Sequence, residues 1–285
     1  MRKLKLPMGD EIPVLGLGTW RMGESRTKRA DEVNALRLGI DLGMNLIDTA
    51  EMYADGKSEE VVAEAIAGRR KDVFIVTKVL PSNASRKGVV AAGERSLKRL
   101  DTDVIDLYLL HWRGSDPLAE TLAGFYDLVK AGKIRTFGVS NFDVSDMKEW
   151  LALNGAGAGK TGTTLGTQAN QVLYNVTARG IDFDLIPWQA ERGIPVMAYS
   201  PLAQGGMPKA KSFHAVAARH NATVAQVMLA WCLRHPTVFA VPKTSRVEAI
   251  RENAAAASIA LTAVDLAEID RDFPPPRQAN PLEML

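Results

Sequence analysis

The sequence has a single cysteine, Cys232, so no disulfide can form within the chain. Its four histidines, His111, His214, His220 and His235, are scattered, and none pairs with that cysteine at the spacing of a structural zinc site. Charge imbalance is absent too. Thirty-five Lys plus Arg against 33 Asp plus Glu leave +2, which excludes the strongly basic surface of a nucleic-acid binder. No apolar run approaches the roughly 18 residues of a membrane-spanning helix. The basic start is interrupted by Pro7, Gly9, Asp10 and Glu11 before any apolar stretch, so it does not read as a secretion signal. Aromatic residues make up only 6%, and 46% hydrophobic with 24% charged residues is ordinary globular usage, which sets aside disorder, collagen and coiled coils. The expectation is a cytoplasmic monomer without nucleic-acid or membrane partners, its 285 residues forming one domain over 1–285.

What is present is a repeated alternation. The start reads as a β-hairpin turning at Pro7, Met8, Gly9 and Asp10. After it, apolar runs at 15–17, 45–47, 73–77, 104–110, 136–139, 168–172, 195–198 and 238–241 have strand length and no polar alternation, as strands buried on both faces do. Amphipathic segments at 30–43, 57–69, 86–100, 117–131, 143–153, 180–192, 211–220 with 223–235, and 246–257 read as helices between them. Ser58, Asp143 and Thr223 stand where helices should begin, and Gly132 and Gly193 where they should end. Eight strand–helix units over about 250 residues predict an α/β fold, a (β/α)8 TIM barrel with an N-terminal β-hairpin; a doubly wound sheet is the competitor. The small-residue stretch 154–166 reads as a flexible loop after the fifth helix.

Three motifs fail on context. The run from Asn154 to Lys160-Thr161 nearly matches a phosphate-binding loop, but Asn replaces its first Gly and a helix, not a strand, precedes it. Gly16-Leu-Gly18 begins a dinucleotide fingerprint whose last glycine is replaced by Arg21. Tyr53 and Lys57 have the spacing of a dehydrogenase pair that needs a helix, whereas Asp55-Gly56 between them signals a loop.

Polar residues at the C-terminal strand ends carry more, because barrel enzymes keep their active sites there. Asp48 and Tyr53 follow the second strand, Lys78 ends the third, and His111 ends the fourth. A phenol is too weak an acid to donate readily at neutral pH. A nearby ammonium stabilises its phenolate, a carboxylate keeps that ammonium charged, and a histidine can orient a carbonyl oxygen. This set suits carbonyl reduction, with hydride supplied by a nicotinamide cofactor.

With those residues in view the sequence resembles the aldo/keto reductase family over nearly its whole length. The motifs are Leu15-Gly-Leu-Gly18-Thr19-Trp20, Leu46-Ile-Asp48-Thr-Ala-Glu-Met-Tyr53, Asp106-Leu-Tyr-Leu-Leu-His111-Trp112, Gly138-Val-Ser140-Asn141-Phe142, Asn170-Gln171, Ala198-Tyr199-Ser200-Pro201-Leu202 and Val241-Pro-Lys243. Small bacterial members that reduce methylglyoxal-like aldehydes are the nearest in flavour. The resemblance implies NADPH/NADP+ as cofactor, Tyr53 as general acid, Lys78 and Asp48 as its tuning pair, and His111 as the carbonyl-orienting group. It implies cofactor contacts from Gly18, Thr19, Trp20 and Asp48, and carboxamide contacts from Ser140, Asn141 and Gln171. Tyr199 would stack on the nicotinamide, Ser200 and Leu202 would meet the pyrophosphate, Lys243, Thr244 and Arg246 the 2′-phosphate, and Glu252 and Asn253 the adenine. Ala249 stands where many members place an Arg against the adenine.

Trp20, Tyr53, His111 and Trp112 are the expected substrate contacts. The short segment after His111 and the short tail from Phe273 predict an open, shallow pocket for small aldehydes. A metal-dependent hydrolase on the same barrel would need several His and carboxylate ligands at strand ends; only His111 qualifies, and no metal is expected. A non-catalytic nucleotide-sensing or scaffold protein is the rival from another class.

Overall fold

The structure is a computed structural model and describes residues 1–161, 166–206 and 210–285. Strands β1 (Lys3–Lys5) and β2 (Glu11–Pro13) form the antiparallel hairpin, with Leu4 opposite Ile12. Both side chains are buried, and the Met8 amide donates to Gln168 Oε1 while Asp10 pairs with Arg135 at 2.6 Å. The hairpin is thereby fastened near the N-terminal ends of later strands.

Eight parallel strands follow: β3 (Leu17–Gly18), β4 (Leu46–Asp48), β5 (Phe74–Val79), β6 (Ile105–Leu110), β7 (Ile134–Ser140), β8 (Asn170–Leu173), β9 (Val196–Tyr199) and β10 (Val238–Ala240). Each pairs with the next in sequence. The ring closes where the Gly16 amide donates to Ala240 O at 2.9 Å and the Gly18 amide to Pro242 O at 3.0 Å. That seam requires glycine, because a Cβ on Gly18 would lie 2.7 Å from Val241 O. The eight-strand barrel with its hairpin is therefore the observed fold.

The helices are α1 (Arg29–Asp41), α2 (Lys57–Ile66), α3 (Arg86–Leu100), α4 (Leu118–Lys130), α5 (Val144–Thr161), α6 (Leu185–Ala190), α7 (Lys211–Arg219), α8 (Val224–Cys232), α9 (Val247–Ala256) and α10 (Ala263–Asp272). β5 and β6 are buried along their whole length, so strand and helix layers share one core. Several local expectations hold. Thr223 closes a capping box with Gln226, Asp143 accepts from the Asp146 amide, and Gly132 and Gly193 adopt left-handed conformations beyond α4 and α6.

Others are corrected. Ser58 does not cap α2; left-handed Gly56 precedes the helix, and the buried Ser58 hydroxyl is drawn instead to Thr19 Oγ1 at 2.7 Å. The helix after β7 does not stop at 153, since each residue added to an existing helix gains a hydrogen bond without a new nucleation cost. Of the loop expected over 154–166, residues 154–161 are therefore helical, and 162–165 lie outside the described residues. The helix expected over 180–192 splits into a 3-10 turn, Gly180–Asp182, and the short α6, whose start is fixed by the Asp184 carboxylate accepting from the Leu185 amide. Helix α10 was not expected, although its signal is present: Thr262 and Asp265 form a capping box. Among the described residues no helix is long and apolar enough to cross a membrane.

Candidate active site

The C-terminal strand ends deliver polar side chains from successive strands to one cavity. Asp48 is the last residue of β4, Lys78 the next-to-last of β5, His111 the first after β6, Ser140 the last of β7, and Tyr199 the last of β9. The cavity has a volume of about 210 Å³. It is lined by Gly18, Trp20, Asp48, Tyr53, His111, Trp112, Ser140, Asn141, Gln171, Tyr199 and Ser200, and also by Met52, Gln204, Val241, Met284 and Leu285.

Lys78 stands beneath its floor. Its side chain has 0% exposure, and a buried ammonium is costly unless every N–H is satisfied. Nζ meets three oxygens: Asp48 Oδ1 at 2.7 Å, Thr49 O at 2.8 Å and Tyr53 Oη at 3.1 Å. Burial alone would depress this ammonium, but the charge of Asp48 and the neighbouring Tyr53 hold it above its ordinary value. It remains a cation throughout the neutral range.

Tyr53 is held edge-on by the Trp20 ring, with centroids 5.0 Å apart, and faces the His111 ring at 5.9 Å. Burial, the largest influence, raises the phenol's pKa; Lys78 lowers it as the residue types predict, Asp48 adds to the rise, and the net shift is upward. The expected easing of the phenol by its ammonium is thus outweighed in this cavity. The consequence is a proton firmly held on Oη, beside a cation placed to receive negative charge when that proton leaves.

His111 sits well below its ordinary pKa, first because it is buried and second because Lys78 repels its cationic form. Its imidazole is neutral at pH 7. Nδ1 is buried without a hydrogen-bond partner among the described residues, which favours the proton on Nε2 and leaves only a lone pair in the dry position.

A chain of hydrogen bonds runs round the opposite wall. Ser140 Oγ donates to Gln171 O at 2.8 Å, Asn141 Nδ2 donates to His111 O at 3.0 Å and to Ser140 Oγ at 3.1 Å, and Tyr199 Oη donates to Asn141 Oδ1 at 3.1 Å. Gln171 Nε2 donates to Asp48 Oδ1 at 2.8 Å. Burial pushes the Tyr199 phenol up to about 12, so it stays a neutral aromatic surface at the rim. Amide groups, a hydroxyl and a flat ring around one cavity fit a planar heteroaromatic amide such as nicotinamide, whose carboxamide both donates and accepts.

Not every expected residue reaches the cavity. Thr19 does not line it: its hydroxyl is fully buried and donates to Asp48 O at 2.9 Å, supporting the end of β4 from behind. Leu202 is also absent from the lining. Lys243, Thr244, Arg246, Glu252 and Asn253 lie beyond it, on the β10–α9 connection and on α9 itself. Arg246 immediately precedes α9, whose first amides are a ready anion site, and the Lys243 stem packs beside Gly18.

Sequence reasoning missed five lining residues. Met52 and Val241 fall inside quoted motifs and could have been inferred from them. Met284 and Leu285 carried no signal, and the tail expected to leave the pocket open instead reaches it. The Leu285 amide approaches Tyr199 Oη at 3.4 Å.

The family model for the aldo/keto reductases matches residues 14–271. The chain is 46% identical over 283 residues to methylglyoxal reductase YeaE of Escherichia coli K12, covering 97% of each. It is 33% identical to a glyoxal reductase of Bacillus subtilis, covering 94% of this chain and 91% of the relative. A crystal structure of an aldo-keto reductase from Klebsiella pneumoniae in complex with NADPH superposes with a TM-score of 0.92 at 45% identity, covering 100% of both chains.

Proposed function

Because this chain belongs to the aldo/keto reductase family, we propose that it reduces small aldehydes and ketones, methylglyoxal-like compounds among them, to alcohols with NADPH. One observation carries the reading: the Tyr53 hydroxyl at the cavity wall with the Lys78 ammonium 3.1 Å behind it. Ser140, Asn141 and Gln171 would hold the nicotinamide amide, Tyr199 its ring, and Lys243, Thr244 and Arg246 the 2′-phosphate. A reduced nicotinamide supplies hydride to the carbonyl carbon.

The chain's own residues supply the rest. His111 donates from Nε2 to the substrate oxygen and orients it without adding charge. Tyr53 gives its proton to that oxygen as negative charge develops there. The phenolate left behind is compensated by Lys78, which Asp48 keeps charged and in place. Trp20 and Trp112 wall the entrance. A cavity of about 210 Å³ that must also take the nicotinamide ring favours a small substrate, since pockets for drug-sized ligands measure roughly 300–1,000 Å³.

The reading places the activity in one domain over 1–285, acting as a cytoplasmic monomer. A non-catalytic nucleotide sensor on the same fold would have no use for a fully buried Lys78 directed at a phenol, so that rival is set aside. The test is NADPH oxidation against a panel of aldehydes, ketones and sugars, with NADH in parallel. Small 2-oxoaldehydes should be turned over with NADPH preferred. Tyr53→Phe should lower kcat by orders of magnitude while NADPH still binds. Near-normal turnover by that variant would overturn the assignment.

A further inference from the structure

We propose that Gln171 is a positioning residue for proton transfer, holding the Asp48 carboxylate toward Lys78, as well as a wall of the nicotinamide pocket. This rests on the reading of Tyr53 as proton donor. The geometry begins at Asp48 Oδ1, which receives two donors at once: Lys78 Nζ at 2.7 Å and Gln171 Nε2 at 2.8 Å. Asp48 is 3% exposed and Gln171 2%, so water does not stand in for either donor. Gln171 Nε2 also lies 3.0 Å from Met197 Sδ.

An ionised carboxylate can only accept, so the Gln171 amide is obliged to turn its NH2 toward Asp48. That fixes the other end of the amide. Oε1 has no recorded partner among the described residues, on a side chain that lines the cavity. A cofactor carboxamide donating to Oε1 polarises the Gln171 amide and strengthens its bond to Asp48, because hydrogen bonds in series reinforce one another. The occupied pocket and the Lys78–Tyr53 pair are thus joined through a single oxygen, Asp48 Oδ1.

The sign of the effect follows from the charges around Tyr53. The titratable groups facing it are Lys78 from β5, Asp48 from β4, and the neutral His111 after β6 and Tyr199 from β9; of the two charged ones, Asp48 opposes deprotonation while Lys78 favours it. A donor on Asp48 spreads the carboxylate charge and leaves the ammonium's influence on the phenol less opposed. Without that donor the phenol holds its proton more tightly, and its transfer slows.

Gln171→Glu separates this role from simple cofactor holding. It keeps an acceptor oxygen for the carboxamide but removes the donor to Asp48. If the residue only holds the cofactor, kcat at saturating NADPH stays near wild type at every pH. If it positions Asp48, kcat at neutral pH falls by tenfold or more, while NADPH affinity, read without substrate from quenching of tryptophan fluorescence, changes much less. The introduced carboxyl sits against another carboxylate, so its pKa is raised. Once protonated it can again donate to Asp48, and activity relative to wild type should recover as pH falls.

Gln171→Met, which lacks both donor and acceptor, should lose NADPH affinity and kcat together, without recovery in acid. Far-UV circular dichroism reports that each variant is folded. A Gln171→Glu profile superimposable on wild type overturns the inference and leaves the reductase reading standing. Absence of turnover by the wild-type protein overturns the reductase reading first.

Discussion

Directly after Tyr53 the chain places three consecutive residues in the left-handed region: Ala54 at φ 50° and ψ 40°, Asp55 at φ 53° and ψ 41°, and Gly56 at φ 85°. Glycine is at ease there and aspartate is tolerated, but alanine has no side-chain hydrogen bond to offset the clash of its Cβ. A left-handed L-residue costs roughly 1–2 kcal/mol. Ala54→Gly removes that cost and adds about 0.4–1 kcal/mol of unfolded-state entropy. The difference predicts stabilisation of ~0.5–1 kcal/mol, or about 1–4 °C in Tm for a chain of this size. Thermal unfolding followed by calorimetry measures it. The companion change runs the other way. At Gly56 a Cβ would lie 2.5 Å from Arg99 Cδ and Nε, and Arg99 is bonded to the buried Glu59 at 2.6 Å. Gly56→Ala combines strain with the displacement of an ion pair and should lower Tm clearly. An unchanged or lower Tm for Ala54→Gly would show that strain in this turn is not what separates the two positions.

Other consequences are equally direct. Lys78→Met leaves Asp48 buried without its cation and should cost ~3–5 kcal/mol in urea unfolding as well as activity; a loss below about 1 kcal/mol would mean that Asp48 takes up a proton at little cost. His111 titrates lower in the folded chain than in the unfolded one, so its contribution to stability is complete above pH ~6.5 and declines as pH falls toward the folded value. Urea midpoints between neutral pH and pH 5 should therefore fall less steeply for His111→Asn than for wild type, and parallel slopes would contradict the burial argument.

Much of this was legible in the sequence for identifiable reasons. Strands buried on both faces leave unbroken apolar runs, and the polar residue ending each run marks the rim, which makes Asp48, Lys78 and His111 legible as rim residues. Ser58 misled because a serine ahead of acidic residues looks like a cap, whereas its tertiary partner, Thr19, is 39 residues away. Thr19 shows a related limit: a motif shows that a residue sits at the mouth, not which way its hydroxyl turns. The upward shift of Tyr53 was invisible because burial has no local signature. The tail was hidden as well, since only folding brings Leu285 to Tyr199, 86 positions earlier.

The order of strands in the ring carries one more implication. Asp48, Tyr53, Lys78 and His111 all lie within the first 111 positions, on β4 to β6, while the side chains suited to nicotinamide are borne by β7 to β9. Acid chemistry and carrier recognition are thus written in separate stretches of the polypeptide that join directly where β6 pairs with β7 and again when the Gly16–Ala240 seam closes the ring. During synthesis the earlier half emerges with its reactive phenol but with no partner to act alongside. For the engineer, the carrier half can be rewritten with little disturbance of the proton donor except at Gln171 and Asn141, which bond to Asp48 and to the His111 carbonyl.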